Sequence, residues 1–291
     1  MNDVKFGWLS PVIGNQWSDY KPIVMYQERH ILPTALEHFD SLWIADHFYG
    51  FDAKTDPFME AWTTLTWMAA KFPDTMLCHH VLGVGYRPPA LTAKMAATLQ
   101  VLSGNRFILG IGAGWREDEY LAYGYDFPKP SVRFAQLDEM LQICKLMWTE
   151  DEPSFSGTHF SIDGASAPPL PDVVPPICIG ASGEKVGLPL AGRYADIWNG
   201  TSRASDDDWL RKVDIVKTSA SNAGRDAEQI AISQTVERAL PETDEQAQEF
   251  LELLSHKREL GITYFVMDFG NPETPEHVNR FIEQVANPLR P

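Results

Sequence analysis

The sequence predicts an α/β protein in which eight parallel strands close into a barrel surrounded by helices, the (β/α)8 or TIM-barrel architecture. Strand-like apolar segments alternate with helical segments along the chain, and this alternation requires parallel strands joined by right-handed crossovers. Eight such pairs follow one another with short connections, and eight units close as a barrel. The length of 291 residues and the 44% hydrophobic content suit one domain spanning residues 1–291. An open doubly wound sheet is the alternative architecture.

Four strands are predicted in the first half of the chain, at residues 4–9, 41–45, 76–84 and 107–111. Helices are predicted at residues 22–39, 60–72 and 88–102, and Pro33 should kink the first because proline cannot donate the helical hydrogen bond. In the third of these helices the apolar residues repeat with helical spacing, which predicts a buried face. That face consists of Leu91, Met95, Leu99 and Leu102.

The second half of the chain begins with an amphipathic helix predicted at residues 132–148. A proline-rich insertion on the barrel follows at residues 151–176, with a hairpin at residues 155–162. Four further strands are predicted at residues 177–180, 195–198, 230–236 and 264–267, and the last helix at residues 275–285. Ser205 with Asp208, and Thr243 with Gln246, have the spacing of helix-capping pairs and predict the starts of two intervening helices.

The net charge and the cysteine content indicate which partners are disfavoured and in which cellular compartment the protein is expected. The net charge is −16, with 24 basic and 40 acidic residues, so nucleic acid and anionic membranes are disfavoured as partners. Cys78, Cys144 and Cys178 lie far apart in apolar segments, which argues against a disulfide framework. The N-terminal segment lacks the features of a signal peptide, and no apolar run is long enough to span a membrane. We therefore expect a cytoplasmic protein.

The active sites of such barrels lie where strands end and helices begin, and this rule selects candidate residues before any motif is considered. The candidates at the ends of strands two to five are Asp46, His47, His79, His80, Leu82, Gly112, Ala113, Gly114, Trp115, Gly180, Ala181, Ser182 and Gly183. Later strands contribute Trp198, Asn199 and Asp268.

The segment around which these candidates are arranged is residues 106–120, RFILGIGAGWREDEY, a strand followed by alternating glycines and an acidic helix start. Glycines at a strand end let a group approach the backbone, and a helix N-terminus offers unpaired N–H groups, so the segment suits a flat cofactor or an anion. It is not the dinucleotide fingerprint, because Trp115 replaces the third glycine. The loop from Gly180 to Gly183 has the composition of a phosphate nest. For residues 106–120 and for the loop from Gly180 to Gly183, the alternative is a tightly packed turn that binds no ligand.

Histidines offer the proton chemistry. An imidazole at a barrel mouth can exchange a proton near neutral pH, so His47 is a candidate catalytic residue. The alternative is a histidine that only forms hydrogen bonds within its loop. Because neighbouring residues of a strand point to opposite faces, His79 and His80 cannot easily bind one ion, and we expect no catalytic metal.

Four segments together resemble one known family: LWIADHF at residues 42–48, and the segments at residues 87–115, 138–162 and 175–199. They are similar to the bacterial luciferase-like family of flavin- or deazaflavin-dependent oxidoreductases, and the second segment most resembles the branch that uses coenzyme F420. The resemblance implies a TIM barrel with an insertion, with the cofactor ring at the carboxyl ends of the strands.

By this resemblance, Asp46 and His47 match positions that contact the ring, and His47 matches a proton-transfer residue of some F420-dependent members. A non-proline cis peptide behind the ring is implied at or near His79 and His80. Further matches are Leu82 for the ring, Ala113 and Gly114 for backbone contacts, and Ser182 and Gly183 for the phosphate side. Two departures stand out: Trp115 replaces an acid of the sugar-phosphate dehydrogenases, and the two strand-three histidines are unusually bulky.

The resemblance therefore implies an oxidoreductase that transfers hydride between F420 and a small organic substrate, and we expect a homodimer. The alternatives are an FMN-dependent monooxygenase of the same fold and, from another class, a barrel that binds a ligand without turnover. The loops at residues 10–21, 47–58 and 151–176 are expected to set the substrate. Candidate cations for the anionic tail of F420 are Arg87, Arg116, Lys185 and Arg193.

Overall fold

The computed structural model describes residues 3–11, 23–50, 54–201 and 204–290, and within them the parallel strands form a closed barrel. The strands are β1 (Lys5–Leu9), β2 (Ser41–Ile44), β3 (Met76–His79), β4 (Leu82–Gly83), β5 (Phe107–Gly112), β8 (Ile177–Gly180), β9 (Ile197–Gly200), β10 (Ala231–Glu237) and β11 (Tyr264–Asp268), with the hairpin β6 (Phe155–Ser156) and β7 (Ser161–Ile162) outside the barrel. The order β3-β2-β1-β11-β10-β9-β8-β5 is closed by pairing between β3 and β5. This is the predicted TIM barrel, not an open sheet.

Helices follow the strands around the outside of the barrel. They are α1 (Ile23–Tyr26), α2 (Leu32–Ala35), α3 (Ala61–Lys71), α4 (Pro89–Leu102), α5 (Glu117–Ala122), α6 (Pro130–Thr149), α7 (Gly187–Tyr194), α8 (Asp206–Asn222), α9 (Asp244–Glu259), α10 (Pro275–Phe281) and α11 (Asn287–Leu289). Both predicted caps are confirmed: Ser205 accepts from the Asp208 N–H at 3.3 Å, and Thr243 from the Gln246 N–H at 3.2 Å. No helix in the described part of the chain is long and apolar enough to cross a membrane.

The predicted third strand is interrupted. Instead of one strand over residues 76–84, β3 ends at His79 and β4 begins at Leu82, with a non-proline cis peptide between His80 and Val81. The His80 N–H still donates to Ile44 O at 2.8 Å, and the Val84 N–H donates to Gly112 O at 3.0 Å. The break therefore lies between two segments that both stay in the barrel wall.

The first predicted helix is divided as well. A π-helical turn at Gln27–Ile31 separates α1 from α2, and Pro33 lies in the first turn of α2, where a missing N–H costs little. The three helical elements follow one another without a gap over residues 23–35, and the kink at Pro33 stays a prediction. Pro22, and the loop residues Trp17 and Tyr20, lie outside the described residues.

Two apolar layers form the core. The barrel interior holds Trp43, Cys78, Ile108, Cys178, Ile197, Tyr264 and Val266, and a larger layer fills the space between strands and helices. The predicted buried face of α4 is wrong in two of its four residues, because Leu91 is 49% exposed and Leu102 is 75% exposed. Small residues, Ala93, Ala96 and Ala97, face inward instead. They let α4 approach its neighbours closely, which larger side chains would prevent.

The insertion at residues 151–176 contains the predicted hairpin and is bound to α4. Lys94 donates to the carbonyls of Ala167 and Pro168, and the Gln100 amide donates to Val173 O at 2.9 Å. None of its residues lines the cavity described below. Its expected contact with the substrate is therefore corrected, because it covers the helix layer and not the mouth of the barrel.

Candidate active site

A cavity of about 1030 Å³ opens at the carboxyl ends of the barrel strands. Such a volume is at the upper end of ordinary ligand pockets, enough for a cofactor ring with a small substrate. The cavity wall includes these predicted site residues: Asp46, His47, His80, Gly112, Ala113, Gly114, Trp115, Gly180, Ala181, Ser182, Gly183, Asn199 and Asp268. The strand-end rule has thus brought together most of the candidates from the sequence.

His79 and Leu82 lie away from the cavity. The His79 ring is fully buried against Trp62 and Phe107, at centroid distances of 4.7 and 5.6 Å, and neither ring nitrogen has a hydrogen-bond partner. Burial, with a smaller effect of the nearby Arg87 cation, lowers the pKa of His79 to about 3. Leu82 belongs to the core between strands and helices. The expectation of cofactor contact is corrected for both, because their side chains point out of the barrel.

One wall of the cavity is formed by Val81 and by glycines that pack closely around it. A Cβ on Gly112 would lie 3.0 Å from Val81 and 3.1 Å from Gly180 O, and a Cβ on Gly180 would also lie 3.0 Å from Val81. Gly114 has φ +73°, and a Cβ there would overlap the Tyr120 hydroxyl. Val81 and these glycines thus form a cradle that larger residues would fill, and such a surface fits a planar cofactor ring.

His47 is held at the cavity by a buried carboxylate that the sequence analysis missed. His47 Nδ1 donates to Glu119 Oε2 at 2.8 Å, and the same carboxylate accepts from the Tyr86 hydroxyl at 2.6 Å and the Phe48 N–H at 2.5 Å. Burial opposes ionisation of Glu119, but these hydrogen bonds outweigh it and lower the pKa of Glu119. The signal in the sequence was the acidic helix start after Trp115, which we interpreted only as a helix signal.

Asp46 lines the cavity, but its carboxylate faces the protein. Arg87 donates to both oxygens at 3.0 Å, and the Gly83 N–H donates to Oδ2 at 3.0 Å. Arg87 also donates to Glu60 at 2.6 Å. The geometry gives Asp46 the role of a buried ion-pair partner that joins β2, β4 and the start of α4, which is a positioning role rather than a polar ligand contact.

His80 crosses the barrel and closes the floor of the cavity. Its Nε2 lies 2.8 Å from Thr235 Oγ1 on the opposite side, and Thr235 donates its only proton to Asn199 Oδ1 at 3.2 Å. Thr235 therefore accepts from the His80 Nε2–H, which assigns the neutral tautomer. Burial is the largest cause that lowers the pKa of His80 to about 4. Below it lies Trp43, at a centroid distance of 6.0 Å.

Two carboxylates end neighbouring strands on one side of the cavity. Glu237 of β10 and Asp268 of β11 lie in register, and both line the cavity. Burial raises the pKa of Asp268, against the opposing effect of the Gly270 N–H, which donates to Oδ1 at 2.9 Å. Glu237 was not among the predicted site residues because the predicted strand ended at residue 236, one residue before the end of β10. Among the described residues, no three His, Cys, Asp or Glu side chains form a group that could hold a metal ion.

The model of the luciferase-like monooxygenase family matches residues 4–284, nearly the whole chain. The chain belongs to this family. The resemblance of its four sequence segments is thereby confirmed, and the fold and the cavity at the strand ends agree with it. The non-proline cis peptide lies between His80 and Val81, next to the implied position.

Relatives of this luciferase-like protein carry oxidoreductase names. It is 30% identical over 250 residues to the phthiodiolone/phenolphthiodiolone dimycocerosates ketoreductase of Mycobacterium bovis. This match covers 78% of the present chain but only 63% of the length of the ketoreductase. It is 36% identical over 158 residues, 54% of this chain and 46% of the relative, to an F420-dependent glucose-6-phosphate dehydrogenase of Kineococcus radiotolerans. The solved structure of an F420-dependent secondary alcohol dehydrogenase with an F420-acetone adduct has a TM-score of 0.83 at 19% identity and covers 99% of both chains.

Three of the four cations proposed for an anionic tail are already bound within this luciferase-like protein. Arg87 pairs with Asp46 and Glu60, as described. Arg116 donates to the carbonyls of Tyr49 and Gly50 at 2.9 and 2.7 Å, and Arg193 pairs with Asp138 at 2.7 Å. Lys185, beside the loop that ends at Gly183, is exposed. Of the four, Lys185 is therefore the cation best placed to reach an anion in solvent.

Proposed function

We propose that this luciferase-like protein is an oxidoreductase that uses coenzyme F420 to move a hydride between the deazaflavin and a carbonyl carbon of a small organic substrate. The observation that carries the proposal is the position of His47, fixed by buried Glu119, beside the glycine wall of a cavity of cofactor size. The names of the ketoreductase, the glucose-6-phosphate dehydrogenase and the secondary alcohol dehydrogenase support both the reaction and the cofactor.

Different residues would bind the ring and the phosphate side of the cofactor. Val81, Gly112 and Gly180 would hold one face of the ring, and Ser182 with Gly183 would hold the phosphate side through exposed N–H and hydroxyl groups. When bound, F420 supplies the two-electron hydride chemistry. The protein supplies the orientation of both reactants.

His47 would handle the proton. In ketone reduction the carbon gains a hydride and the oxygen gains a proton, so one proton donor is needed for each turnover. The imidazole of His47 can supply that proton, and Glu119 balances its charge and fixes its tautomer through Nδ1. In alcohol oxidation the same group accepts the proton, because acid and base exchange roles in the reverse direction.

An FMN-dependent monooxygenase is the second candidate, and one observation favours it. Three of the four cations expected for the long anionic tail of F420 are engaged by the protein itself, which leaves Lys185 near the phosphate loop. A cofactor with a single phosphate would need fewer cations. The barrel that binds without turnover is the remaining alternative.

A parallel assay separates the three candidates. The purified protein is mixed with F420 and secondary alcohols, or with reduced F420 and ketones, and in a second arm with FMN, a reductant and oxygen. We expect substrate-dependent change of the F420 fluorescence and no oxygen-dependent product in the FMN arm. Product in the FMN arm alone would contradict the proposal, and binding of either cofactor without any turnover would favour the non-catalytic barrel.

We also propose that the chain folds as one domain and forms a homodimer. Leu91 is 49% exposed on α4, and it lies in one surface groove with Met95 of the same helix and Trp67 of α3. An apolar groove of this kind on the outer helices suits a second copy. Sedimentation analysis should give twice the monomer mass, and Leu91→Asp should shift it toward the monomer. A monomeric parent protein would contradict the dimer.

The cytoplasmic location stays a prediction.

A further inference from the structure

Arg133, near the start of α6, is a buried cation, and no carboxylate in the described part of the chain forms an ion pair with it. The residue is 8% exposed, and its guanidinium carbon lies 3.8 Å from the centre of the Phe127 ring. The guanidinium donates to two backbone carbonyls, from Nε to Ala113 O at 3.1 Å and from Nη1 to Pro128 O. Because a buried positive charge is costly unless a negative charge lies near it, Arg133 suits a site that receives an anionic ligand.

One of these two carbonyls belongs to the wall of the cavity. Ala113 and Gly114 follow β5 directly, and both line the cavity. The peptide bond between them is trans, so its N–H points away from its C=O and therefore away from Arg133. The Gly114 N–H donates to no described residue. Arg133 thus holds, from the helix layer, a peptide whose N–H is available on the side opposite α6.

The charge of Arg133 also acts on a side chain of the cavity wall. Burial is the largest cause that raises the pKa of the Tyr120 phenol to about 12, and Arg133 opposes this rise. Asp46 and Glu119 contribute to the rise, but both carboxylates are already bound by other groups of the protein, as described above. Since the Tyr120 hydroxyl lies against Gly114, a negative charge at the Gly114 N–H would also be stabilised by Arg133.

We propose that Arg133 is a positioning residue of the cofactor site: it fixes the Ala113–Gly114 peptide from outside the barrel and makes the Gly114 N–H a stronger donor to an anionic deazaflavin ring. The inference rests on the proposed function. The described cavity wall does not include Arg133, so Arg133 acts through the peptide and not by touching the cofactor. Oxidised F420 has an ionisable ring hydroxyl whose negative charge is shared with the ring, and a nearby donor and cation favour that ionised form.

The ionisation of bound F420 tests this role without turnover. F420 is mixed with saturating protein, and its absorbance is titrated with pH beside free F420. We expect the bound ring to ionise at a lower pH than free F420. Arg133→Met should move the midpoint upward by about half a pH unit or more, and Arg133→Lys should retain most of the parent's shift because it keeps the charge.

Arg106→Met is the matched control. Arg106 also donates to backbone carbonyls, those of Ser103 and Phe72, but it precedes β5 and is thus roughly 20 Å from Ala113 along the strand. Its replacement makes the same chemical change at the opposite end of the same strand. The midpoint of bound F420 should therefore be the same in Arg106→Met as in the parent protein.

The parent protein alone gives a first result that depends on no variant. A bound ring that ionises at the same pH as free F420, or at a higher pH, would overturn the inference. Equal midpoints for the parent and Arg133→Met, or an equal shift in Arg106→Met, would overturn it as well. If FMN binds and F420 does not, the proposed function is contradicted, and the ionisation of the flavin ring N–H in the same variants then decides the inference. Binding of neither cofactor would overturn both.

Discussion

Glu119, in the helix that follows β5, holds His47, which follows β2, through a hydrogen bond of 2.8 Å between Oε2 and Nδ1. The two residues are 72 positions apart in the chain, and the Glu119 side chain is completely buried while that of His47 is 12% exposed. A buried acid thus supports a histidine that reaches the cavity. This arrangement fixes the ring of His47 before any ligand binds.

Replacement of His47 should affect rate far more than cofactor affinity. General acid–base groups contribute on the order of 10²–10⁴-fold to rate, whereas one lost hydrogen bond costs only about 0.5–1.5 kcal/mol of binding. For His47→Ala we therefore expect a large fall in turnover by stopped-flow and a change below about tenfold in cofactor affinity by fluorescence titration. Asp46→Asn is the control, since loss of the pair with Arg87 should weaken affinity and rate together. If the rate stays within about threefold of the parent while the cofactor affinity collapses, His47 is a binding residue and does not transfer the proton.

Glu119 and His47 should act as one unit in a double-mutant cycle. Glu119→Gln keeps the shape of the side chain but removes the charge that faces the imidazole, so we expect a fall in kcat with little change in cofactor affinity. Because both residues serve the same step, the double variant should lose much less than the product of the two single losses. Independent, multiplicative losses in kcat would show that Glu119 has no part in the function of His47.

Stability at acid pH should depend on His79. Its pKa is lowered by burial from 6.5 to about 3, so the unfolded chain binds this proton first and stability is lost as the pH falls below 6.5. His79→Phe removes this proton-binding group. Between pH 7 and pH 5 the free energy of unfolding, measured with urea, should therefore fall by roughly 2 kcal/mol less for this variant than for the parent. His38→Gln changes an exposed histidine and should follow the parent. Parallel pH profiles for the parent and His79→Phe would contradict the assignment.

Gly183 offers a test of the phosphate side that leaves the barrel intact. A Cβ at this position meets no atom within 4 Å, so the fold tolerates a side chain here. Gly183→Asp should weaken cofactor binding because a carboxylate would repel the phosphate, whereas Gly183→Asn, of the same size without the charge, should bind nearly as the parent does. Thermal melting should be the same for all three proteins. Equal cofactor affinity for Asp and Asn variants would move the phosphate site elsewhere.

The elements that the sequence predicts well are those with local causes. The strand-end rule brought His47, Gly112 and Ser182 to one cavity, and side-chain caps such as Ser205 mark helix starts because the hydrogen bond spans only a few residues. Periodicity failed for α4, since Leu91 and Leu102 follow the helical spacing but the close approach of the helix selects the alanine face.

Contacts between segments that are far apart in the sequence could not be predicted from local sequence patterns. The pairing of Glu119 with His47 and of Arg87 with Asp46 depends on how β2, β4 and β5 are arranged in the closed barrel. The same holds for His80, whose partner Thr235 is 155 residues away, and for the outward direction of His79. Strand alternation separates His79 from His80, but only the folded barrel shows which of them reaches the cavity.

The central claim is that the glycine wall and its phosphate loop bind a deazaflavin. The most direct measurement is a fluorescence titration of the purified parent protein with F420 and, separately, with FMN, at matched ionic strength. We predict saturable binding of F420 with a Kd at least tenfold below that of FMN, and loss of that binding in Gly183→Asp. Nanomolar binding of FMN with no detectable binding of F420 would contradict it.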